Sequence, residues 1–278
     1  MEIKITTLSE NTANTDRMIA EWGLSILIDV DGFRILFDTG ASFSTVYNAQ
    51  LLGVDFSSID KIVLSHGHFD HAGGLLNVIR RRGAPIEVIA HPDMWAAKYA
   101  LRPNVPQRYI GVPFQREQLE ADGAIFNLSK EPVWIRDNIV TTGEVPMVTG
   151  YEQIDPFLFV KENNEFKPDP LADDLAMAIN TELGLVIILG CSHRGMINII
   201  YRLQEITGQK QIYCVIGGTH LMAATPERMV QTVAALKEID IQRLGVSHCT
   251  GFQASSWLAQ EFPDTFFLNN AGTQLSLP

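Results

Sequence analysis

The sequence predicts a layered α/β fold, and three observations support this prediction. The first half opens antiparallel, because the apolar segments 24–30 and 33–37 are separated by Asp31-Gly32, a hairpin dipeptide that supplies positive φ. Beyond residue 60, short apolar strands alternate with amphipathic helical patterns. With 278 residues and 46% hydrophobic content, the chain can bury a substantial core. We expect one domain over residues 1–278.

The strands follow from short apolar runs bounded by turn residues. In the first half they are predicted at 2–8, 24–30, 33–37, 61–65 and 86–90. In the second half they are predicted at 176–180, 185–189, 212–216 and 244–247. Their interleaving with helices indicates layers of sheet and helix.

Three helices follow from apolar periodicity and end signals. The helix at 72–82 has one apolar face, and Arg80, Arg81 and Arg82 form its solvated last turn before Gly83, where the helix dipole favours cations. The second helix is predicted near 195–207. The third, at 226–239, is capped by Thr225 with proline at its first position.

A dense cluster of metal-binding side chains follows the strand predicted at 61–65. Within the segment Ser-His-Gly-His-Phe-Asp-His-Ala-Gly stand His66, His68, Asp70 and His71. Alternate positions leaving a strand point the same way, and the turn that follows brings the last two side chains around, so all four can converge. Imidazole nitrogen and carboxylate oxygen suit zinc, iron or manganese. The pattern therefore indicates a metal site, the alternative being a histidine-rich surface loop.

Three further histidines stand just past the ends of apolar strands. His193 follows the run that begins at Gly184, His220 the run from Ile212, and His248 the run from Arg243. In layered α/β proteins the carboxyl ends of strands are where ligands and catalytic groups collect. These histidines therefore occupy the same kind of position as His66, just past the carboxyl end of a strand.

Together these motifs resemble the metallo-β-lactamase superfamily. The resemblance rests on the HxHxDH motif at 66–71, on Phe37-Asp38-Thr39-Gly40 at the end of an earlier strand, and on the late strand-end histidines. It covers nearly the whole chain. Segments 189–195, 216–221 and 247–251 resemble the branch that contains 7,8-dihydropterin-6-methyl-4-(β-D-ribofuranosyl)aminobenzene-5'-phosphate synthase, whose members are mostly described as metal-dependent hydrolases.

The resemblance implies an αββα sandwich, in which two mixed β-sheets pack face to face between outer helices. It also implies two metal sites at the edge between the sheets. One would be formed by His66, His68 and His193, and the other by Asp70, His71 and His248. The cofactor is expected to be two Zn²⁺ per chain, with Mn²⁺, Fe²⁺ or Mg²⁺ as alternatives.

Two positions depart from the superfamily pattern. The usual bridging aspartate follows a glycine at a strand end, but Cys191 stands there, after Gly190. The usual histidine of the third motif is replaced by Glu144. We interpret Cys191 either as a small buried residue or as a substrate contact, and Glu144 as a metal ligand, a substrate contact or a turn carboxylate. The departures leave room for a weaker or single metal.

The remaining site residues are assigned on the same resemblance. Asp70 and Asp38 are the expected catalytic carboxylates, the latter accepting from a ligand histidine and fixing its tautomer or, alternatively, serving only as a turn aspartate. Tentative substrate contacts are His220, Cys191, Glu144, Asp174 and Arg194. For His220 the alternative is a satisfied strand-end histidine, and for Asp174, with its neighbour Asp173, a solvated loop pair. His91 is interpreted as part of a helix start.

Two further features bear on the substrate. The segment at about 92–132 is longer than ordinary connections and mixes aromatic and arginine side chains, so it is either a lid-like insertion over the site or a segment packed for stability or homodimerisation. The helix beginning near Gly195 is expected to direct free N–H groups to the site as a phosphate position. A phosphorylated, aromatic small molecule would suit both.

Composition excludes several classes of function. A net charge of −11 argues against a nucleic-acid partner, which is bound through neutralising Lys and Arg. The three cysteines lack paired spacing, which argues against a disulfide framework and for a reducing compartment, so we expect a cytoplasmic location. No apolar stretch approaches the roughly 20 residues of a membrane span, and no export signal is visible.

Three functions are compatible with these features. The leading hypothesis is a metal-dependent hydrolase that uses a metal-activated water on a small phosphorylated or ester substrate. The alternative is a transferase joining a dihydropterin methyl pyrophosphate to an arylamine ribofuranosyl phosphate. The third is a non-catalytic protein that retains the pocket and binds a ligand.

Overall fold

The computed structural model describes all residues from Met1 to Pro278. The chain divides into two compact units. Unit 1 comprises Met1–Ser129, Asp155–Asp173 and Asn270–Pro278, and unit 2 comprises Lys130–Ile154 and Asp174–Asn269. Each unit has its own large sheet and its own hydrophobic core. The single-domain organisation stays a prediction.

The strands in chain order are β1 (Ile3–Ser9), β2 (Ser25–Val30), β3 (Phe33–Phe37), β4 (Lys61–Val63), β5 (Ile86–Ala90), β6 (Lys98–Ala100), β7 (Arg108–Tyr109), β8 (Ala124–Leu128), β9 (Trp134–Arg136), β10 (Ile139–Thr141), β11 (Leu158–Glu162), β12 (Glu165–Pro168), β13 (Met177–Thr181), β14 (Gly184–Leu189), β15 (Ile212–Gly218), β16 (Arg243–Ser247), β17 (Phe266–Leu268) and β18 (Gln274–Leu277). The α-helices are α1 (Ser44–Leu51), α2 (Phe69–Ala72), α3 (Leu75–Arg82), α4 (Arg116–Ala121), α5 (Met196–Thr207), α6 (Pro226–Ile239) and α7 (Gly251–Glu261). Short 3₁₀ helices cover Phe56–Ser58, Pro92–Trp95 and His248–Thr250.

The large sheet of unit 1 has seven strands in the order β18-β1-β2-β3-β4-β5-β8. The pairs from β18 to β3 are antiparallel, whereas those from β3 to β8 are parallel. The predicted hairpin is confirmed, because Asp31 and Gly32 have φ angles of 50° and 85°, as a type I′ turn requires. The parallel pairing of β3 with β4 brings their carboxyl ends to one edge of the sheet, where Asp38 and Ser65 follow.

Helix α3 covers one face of this sheet with its apolar side. The predicted apolar positions Leu75, Leu76, Val78 and Ile79 are all buried in the unit 1 core, each worth about 1.5–3 kcal/mol relative to an exposed side chain. The helix ends at Gly83 with φ 73°, so the predicted stop is confirmed. It begins later than predicted, at residue 75 instead of 72.

The break before α3 has a steric cause. A Cβ on Gly73 would overlap the carbonyl oxygens of Ala41 and Phe69, and one on Gly74 would overlap that of Thr39. These two glycines let the backbone after α2 lie directly against residues 39–41. The predicted helix is therefore divided into α2 and α3, and α2 carries the end of the HxHxDH motif.

Residues 92–129 of the segment at 92–132 belong to unit 1 and contribute strands to its sheets. Its last strand, β8, is the edge of the large sheet, while β6 and β7 belong to a second, four-stranded sheet in the order β12-β11-β6-β7. Rings of Tyr99, Tyr109 and Phe166 pack edge to face on that small sheet. The role of the segment as a lid stays a prediction.

Unit 2 contains a seven-stranded sheet in the order β17-β16-β15-β14-β13-β10-β9. β14, β15, β16 and β17 are parallel neighbours, so their carboxyl ends meet at one edge. The core includes apolar side chains of α5, α6 and α7. The predicted cap of α6 is confirmed, since Thr225 Oγ1 accepts a hydrogen bond from Arg228 N. The longest helix has 14 residues, and none is long and apolar enough to cross a bilayer.

Candidate metal centre

The HxHxDH residues lie in a buried turn after β4, which we call the histidine loop (residues 65–73). His66, His68, Asp70 and His71 are at most 7% exposed. The turn approaches another backbone segment closely, because a Cβ on Gly67 would overlap the carbonyl group of Met94. The loop is therefore shaped by packing within unit 1 and is not a solvated surface turn.

The three imidazoles of the loop converge. His66 Nε2 lies 3.0 Å from His68 Nδ1, and the rings of His66 and His71 are 4.3 Å apart between centroids. Burial lowers the pKa of His68 to about 3, so its ring is neutral at pH 7. Imidazole nitrogens this close have the chemistry and spacing of ligands around one cation.

Asp38 fixes the orientation of this cluster through hydrogen bonds with Ser65 and His71. Its carboxylate accepts from Ser65 N and Ser65 Oγ, both at 2.7 Å, and lies 2.6 Å from His71 Nδ1. Because an ionised carboxylate only accepts, Nδ1 of His71 is the donor and its lone pair is on Nε2. The Ser65 hydroxyl has one hydrogen and gives it to Asp38, so Nδ1 of His66, 2.8 Å from that oxygen, is also the donor. Both rings thus present Nε2 as an acceptor.

Sequence reasoning missed two partners of the loop in unit 1. Trp22 Nε1 donates to Asp70 Oδ2 at 2.9 Å, and Gly67 N donates to Asp173 Oδ2 at 2.8 Å. The sequence allows Asp173 either to reach the site or to form a solvated loop pair with Asp174, but it does not indicate the contact with Gly67. The signal for Trp22 is absent from the sequence, because the two residues are 48 positions apart and no local pattern relates them.

A buried ion cluster supports Asp173. Lys98 Nζ lies 2.9 Å from Asp173 and 2.8 Å from Asp169, and all three side chains are at most 3% exposed. The available signal is a single lysine in the apolar and aromatic run 94–101. The cluster connects β6, in the segment at 92–132, to the backbone of the histidine loop.

The same segment contacts the histidine loop at a second place. Phe69 N donates to Ile110 O at 2.9 Å, and the guanidinium of Arg108 lies 4.8 Å from the centre of the Phe69 ring. His91 Nδ1 accepts from Asp93 N, which confirms its interpretation as a helix start. Within unit 1 the segment therefore borders the candidate ligands.

In unit 2 the parallel strands bring their terminal residues to one edge. Cys191 and His193 follow β14, His220 follows β15, and His248 follows β16. His220 and His248 have φ angles of 50° and 54°, which are costly for side chains with a Cβ. Such strained backbone persists where surrounding structure holds it, and it concentrates at functional sites.

Two groups of potential ligands occur at this edge. The first contains Cys191, His193 and His220, and the second contains Cys191, His248 and Cys249; within each group the ligand atoms lie within 4.8 Å of one another. The rings of His193 and His220 are 4.2 Å apart. Burial opposes ionisation of Cys249, but hydrogen bonds with Cys191 and His220 and the nearby imidazoles hold the pKa of its thiol well below the usual range.

Three of the tentative substrate contacts, Asp174, Arg194 and Glu144, lie outside the two ligand groups of unit 2. Asp174 Oδ2 accepts from Arg194 N at 2.8 Å, and Arg194 Nε donates to Val145 O at 2.6 Å. Glu144 is 46% exposed and lies 3.5 Å from Lys130 Nζ. Glu144 and Arg194 line a surface cavity of about 460 Å³ and belong to neither ligand group.

The expected phosphate position at the start of α5 is wrong. Ile197 N and Asn198 N each donate to the carboxylate of Glu152 at 2.9 Å, and this carboxylate also accepts from Thr149 Oγ1. Glu152 is 2% exposed, and burial raises its pKa. An internal carboxylate therefore already satisfies the N–H groups that a bound phosphate would use.

Comparison with known proteins gives consistent results. A family model described as the metallo-beta-lactamase superfamily matches residues 23–156. The chain is 35% identical to 7,8-dihydropterin-6-methyl-4-(beta-D-ribofuranosyl)-aminobenzene-5'-phosphate synthase of Methanocaldococcus jannaschii, over 97% of this chain and 95% of that protein.

Solved structures agree in fold. A crystal structure described as a metal-dependent hydrolase of the beta-lactamase superfamily has a TM-score of 0.85 and 28% identity, covering 98% of each chain. Zn²⁺-bound PqqB from Methylobacterium extorquens has a TM-score of 0.60 and 15% identity, covering 99% of this chain and 100% of that one. The second likeness concerns the fold alone.

Proposed function

Since the chain belongs to the metallo-beta-lactamase superfamily and has its predicted fold, we propose that it is a metal-dependent hydrolase of a small phosphorylated or ester substrate. One observation carries this proposal. The histidine loop buries His66, His68, Asp70 and His71 together, with tautomers that leave Nε2 of His66 and His71 as acceptors. Such a constellation suits cation binding, because burying several polar side chains together is costly unless hydrogen bonds or a cation satisfy them.

We assign the ligands in two sets. The first is His66, His68 and His193, and the second is Asp70, His71 and His248. The donor chemistry fits a divalent cation, because imidazole nitrogen and carboxylate oxygen are the usual ligands of zinc and its neighbours. When bound, two such ions would supply a water of lowered pKa and positive charge for the anion that develops in hydrolysis.

The residues of this chain would position and support that chemistry. Asp38 holds the His71 ring in one tautomer, and Trp22 orients the Asp70 carboxylate through the hydrogen bond to Oδ2. We assign Asp70 a second task, to orient the attacking water and accept its proton. Asp173 holds the loop backbone at Gly67, so the spacing of the two neighbouring histidines is maintained.

The test is His68→Ala in the full chain. We expect loss of bound metal, measured by plasma mass spectrometry, and loss of turnover in a screen of chromogenic phosphoesters and esters, with an unchanged circular dichroism spectrum. His91→Asn is the matched control, because asparagine can still cap the 3₁₀ helix and His91 is in neither ligand set. Full activity in His68→Ala would rule out the proposal.

A second candidate function is favoured by the identity to the pterin-related synthase. The chain would then join a dihydropterin methyl pyrophosphate to an arylamine ribofuranosyl phosphate, and the cations would neutralise the departing pyrophosphate. Pyrophosphate release that depends on the arylamine would indicate this transferase. Ligand binding without turnover, with any divalent metal, would indicate a non-catalytic protein instead.

A further inference from the structure

Cys191 occupies a special place among the candidate ligands of unit 2. It is the one residue common to both ligand groups at the strand ends, one with His193 and His220 and one with His248 and Cys249. In the proposed ligand sets, His193 serves one ion and His248 the other. The sulfur of Cys191 therefore lies close to the ligand atoms of both ion positions.

Close backbone contacts hold the turn that carries Cys191 in place. Gly218 packs against this turn so tightly that a Cβ there would overlap the carbonyl oxygen of Gly190 and lie 2.8 Å from Cys249 Sγ. The next residue, Ser192, donates its hydroxyl to Gly218 O at 2.8 Å and has a φ of 59°. A buried side chain in a turn held at several points is pre-organised for binding.

The neighbouring thiol has a different environment. Cys249 Sγ lies 3.4 Å from the carbonyl oxygen of Cys191 and accepts a hydrogen bond from His220 N at 3.3 Å. Both contacts are to backbone groups of the turns that carry the candidate ligands. Cys249 is thus placed to support these turns, whereas Cys191 is shared by the two groups.

Ligand distances are compatible with a sulfur shared by two ions. Zinc bonds of about 2.3 Å to sulfur and 2.0–2.1 Å to nitrogen place tetrahedral ligand atoms roughly 3.4–3.8 Å apart, so groups within 4.8 Å need only a small closure. A sulfur bonded to both ions also suits an ion separation of about 3.5–4 Å.

We propose that the Cys191 thiolate bridges the two metal positions, in place of a carboxylate. The inference rests on the proposed function for the presence of two ions. It adds a prediction about the metal, because a bridging thiolate selects a borderline-soft divalent ion such as zinc and disfavours Mg²⁺ and Mn²⁺.

Cobalt substitution of the full-length protein tests this bridge without an assay of activity. Chelated protein is titrated with Co²⁺ while bound metal and the near-ultraviolet sulfur-to-cobalt charge-transfer absorption are recorded. We expect the band to grow over both the first and the second equivalent. A band that saturates at one equivalent while a second ion binds would overturn the bridge.

Variants identify the sulfur. Cys191→Ser should lose the band and bind fewer ions, and Cys191→Asp, which restores a bridging carboxylate, should bind two ions without the band. Cys249→Ser should keep the band, as should Cys214→Ala, a control for loss of a buried thiol elsewhere in the sheet. Thermal unfolding of each variant verifies the fold, and Cys191→Asp keeps the test decisive if the serine variant does not fold.

The outcomes separate the two proposals. Two bound ions with turnover but no charge-transfer band would refute the bridge and leave the hydrolase proposal intact. Loss of the band in Cys249→Ser with retention in Cys191→Ser would also refute it. Failure of the wild type to bind any divalent ion would refute both.

Discussion

The imidazole Nδ1 of His71 lies 2.6 Å from Oδ2 of Asp38, and both side chains are fully buried. The aspartate has a positive φ of 58°, so its backbone is held in a conformation that asparagine and aspartate tolerate best. This pair determines which nitrogen of His71 faces the candidate metal position. It also links the end of β3 to the histidine loop.

Asp38→Asn should weaken metal binding by about 10–100-fold. Asparagine accepts the same backbone conformation, but its amide can donate to Nδ1 and thereby favour the wrong tautomer of His71. Competition with a chromogenic zinc chelator measures the change in affinity. The control is Asp55→Asn at an exposed 3₁₀ cap, where unchanged zinc affinity is expected. Equal affinity in both variants would contradict the role of Asp38.

Trp22→Phe should weaken zinc binding about tenfold while the free energy of unfolding changes little. The substitution removes the Nε1 donor to Asp70, and the indole is 46% exposed, so little packing is lost. Trp134→Phe is the matched control, because that indole is 49% exposed and lies in unit 2. The same loss of affinity in both variants would show that the hydrogen bond is not responsible.

Lys98→Met should lower the free energy of unfolding by about 3–5 kcal/mol, measured by urea denaturation. The change leaves Asp169 and Asp173 buried without their cation. Adding Asp169→Asn and Asp173→Asn should recover part of the loss, since the uncompensated charges are removed. Lys167→Met, which breaks an exposed ion pair, should cost less than about 1 kcal/mol. A similar cost for both lysines would contradict this account.

The Lys98 cluster also predicts a pH dependence. Burial lowers the pKa of Lys98, but Asp173 and Asp169 raise it more, so the folded-state pKa lies above the ordinary 10.5. The stabilising contribution of the charged lysine is therefore fully present below pH 10.5 and is lost as the pH rises through the folded-state pKa. The difference in unfolding free energy between wild type and Lys98→Met should be constant from pH 7 to about 10 and narrow above it. A difference that does not narrow as the pH rises above 10.5 would refute this assignment.

Glu152→Ala should lower the free energy of unfolding by about 2–4 kcal/mol, because Ile197 N and Asn198 N lose their buried acceptor. Glu152→Gln keeps one acceptor oxygen and should cost less. Inorganic phosphate should partly stabilise the alanine variant, since the N–H groups at the start of α5 become free to bind it. Equal stabilisation of wild type by phosphate would contradict the finding that Glu152 occupies this position.

Much of the architecture could be predicted because strand patterns, turns and caps are local. Three features each depend on a few neighbouring residues: the hairpin at Asp31-Gly32, the positions of the histidines at strand ends, and the Thr225 cap. The helix predicted at 72–82 was misplaced at its start, because Gly73 and Gly74 are required by contacts with residues 39–41 that periodicity does not contain.

The support of the candidate site could not be predicted in the same way. Trp22 meets Asp70 across 48 positions, Gly67 meets Asp173 across 106, and Ile197 meets Glu152 across 45. Nothing in the local sequence distinguishes Glu152 from a surface glutamate. Because tertiary packing buries Glu152, its carboxylate accepts the hydrogen bonds of the backbone N–H groups at the start of α5.

The sequence by itself determined which side chains have metal-binding chemistry and that they follow the ends of strands. Residue identity and strand periodicity depend on only a few neighbouring residues. Only the tertiary structure decided that Asp38 and Trp22 orient those side chains in unit 1. It also decided that Cys191 belongs to both ligand groups of unit 2. The physical reason is that hydrogen bonds and ligand distances depend on how distant segments pack, which a local pattern does not encode.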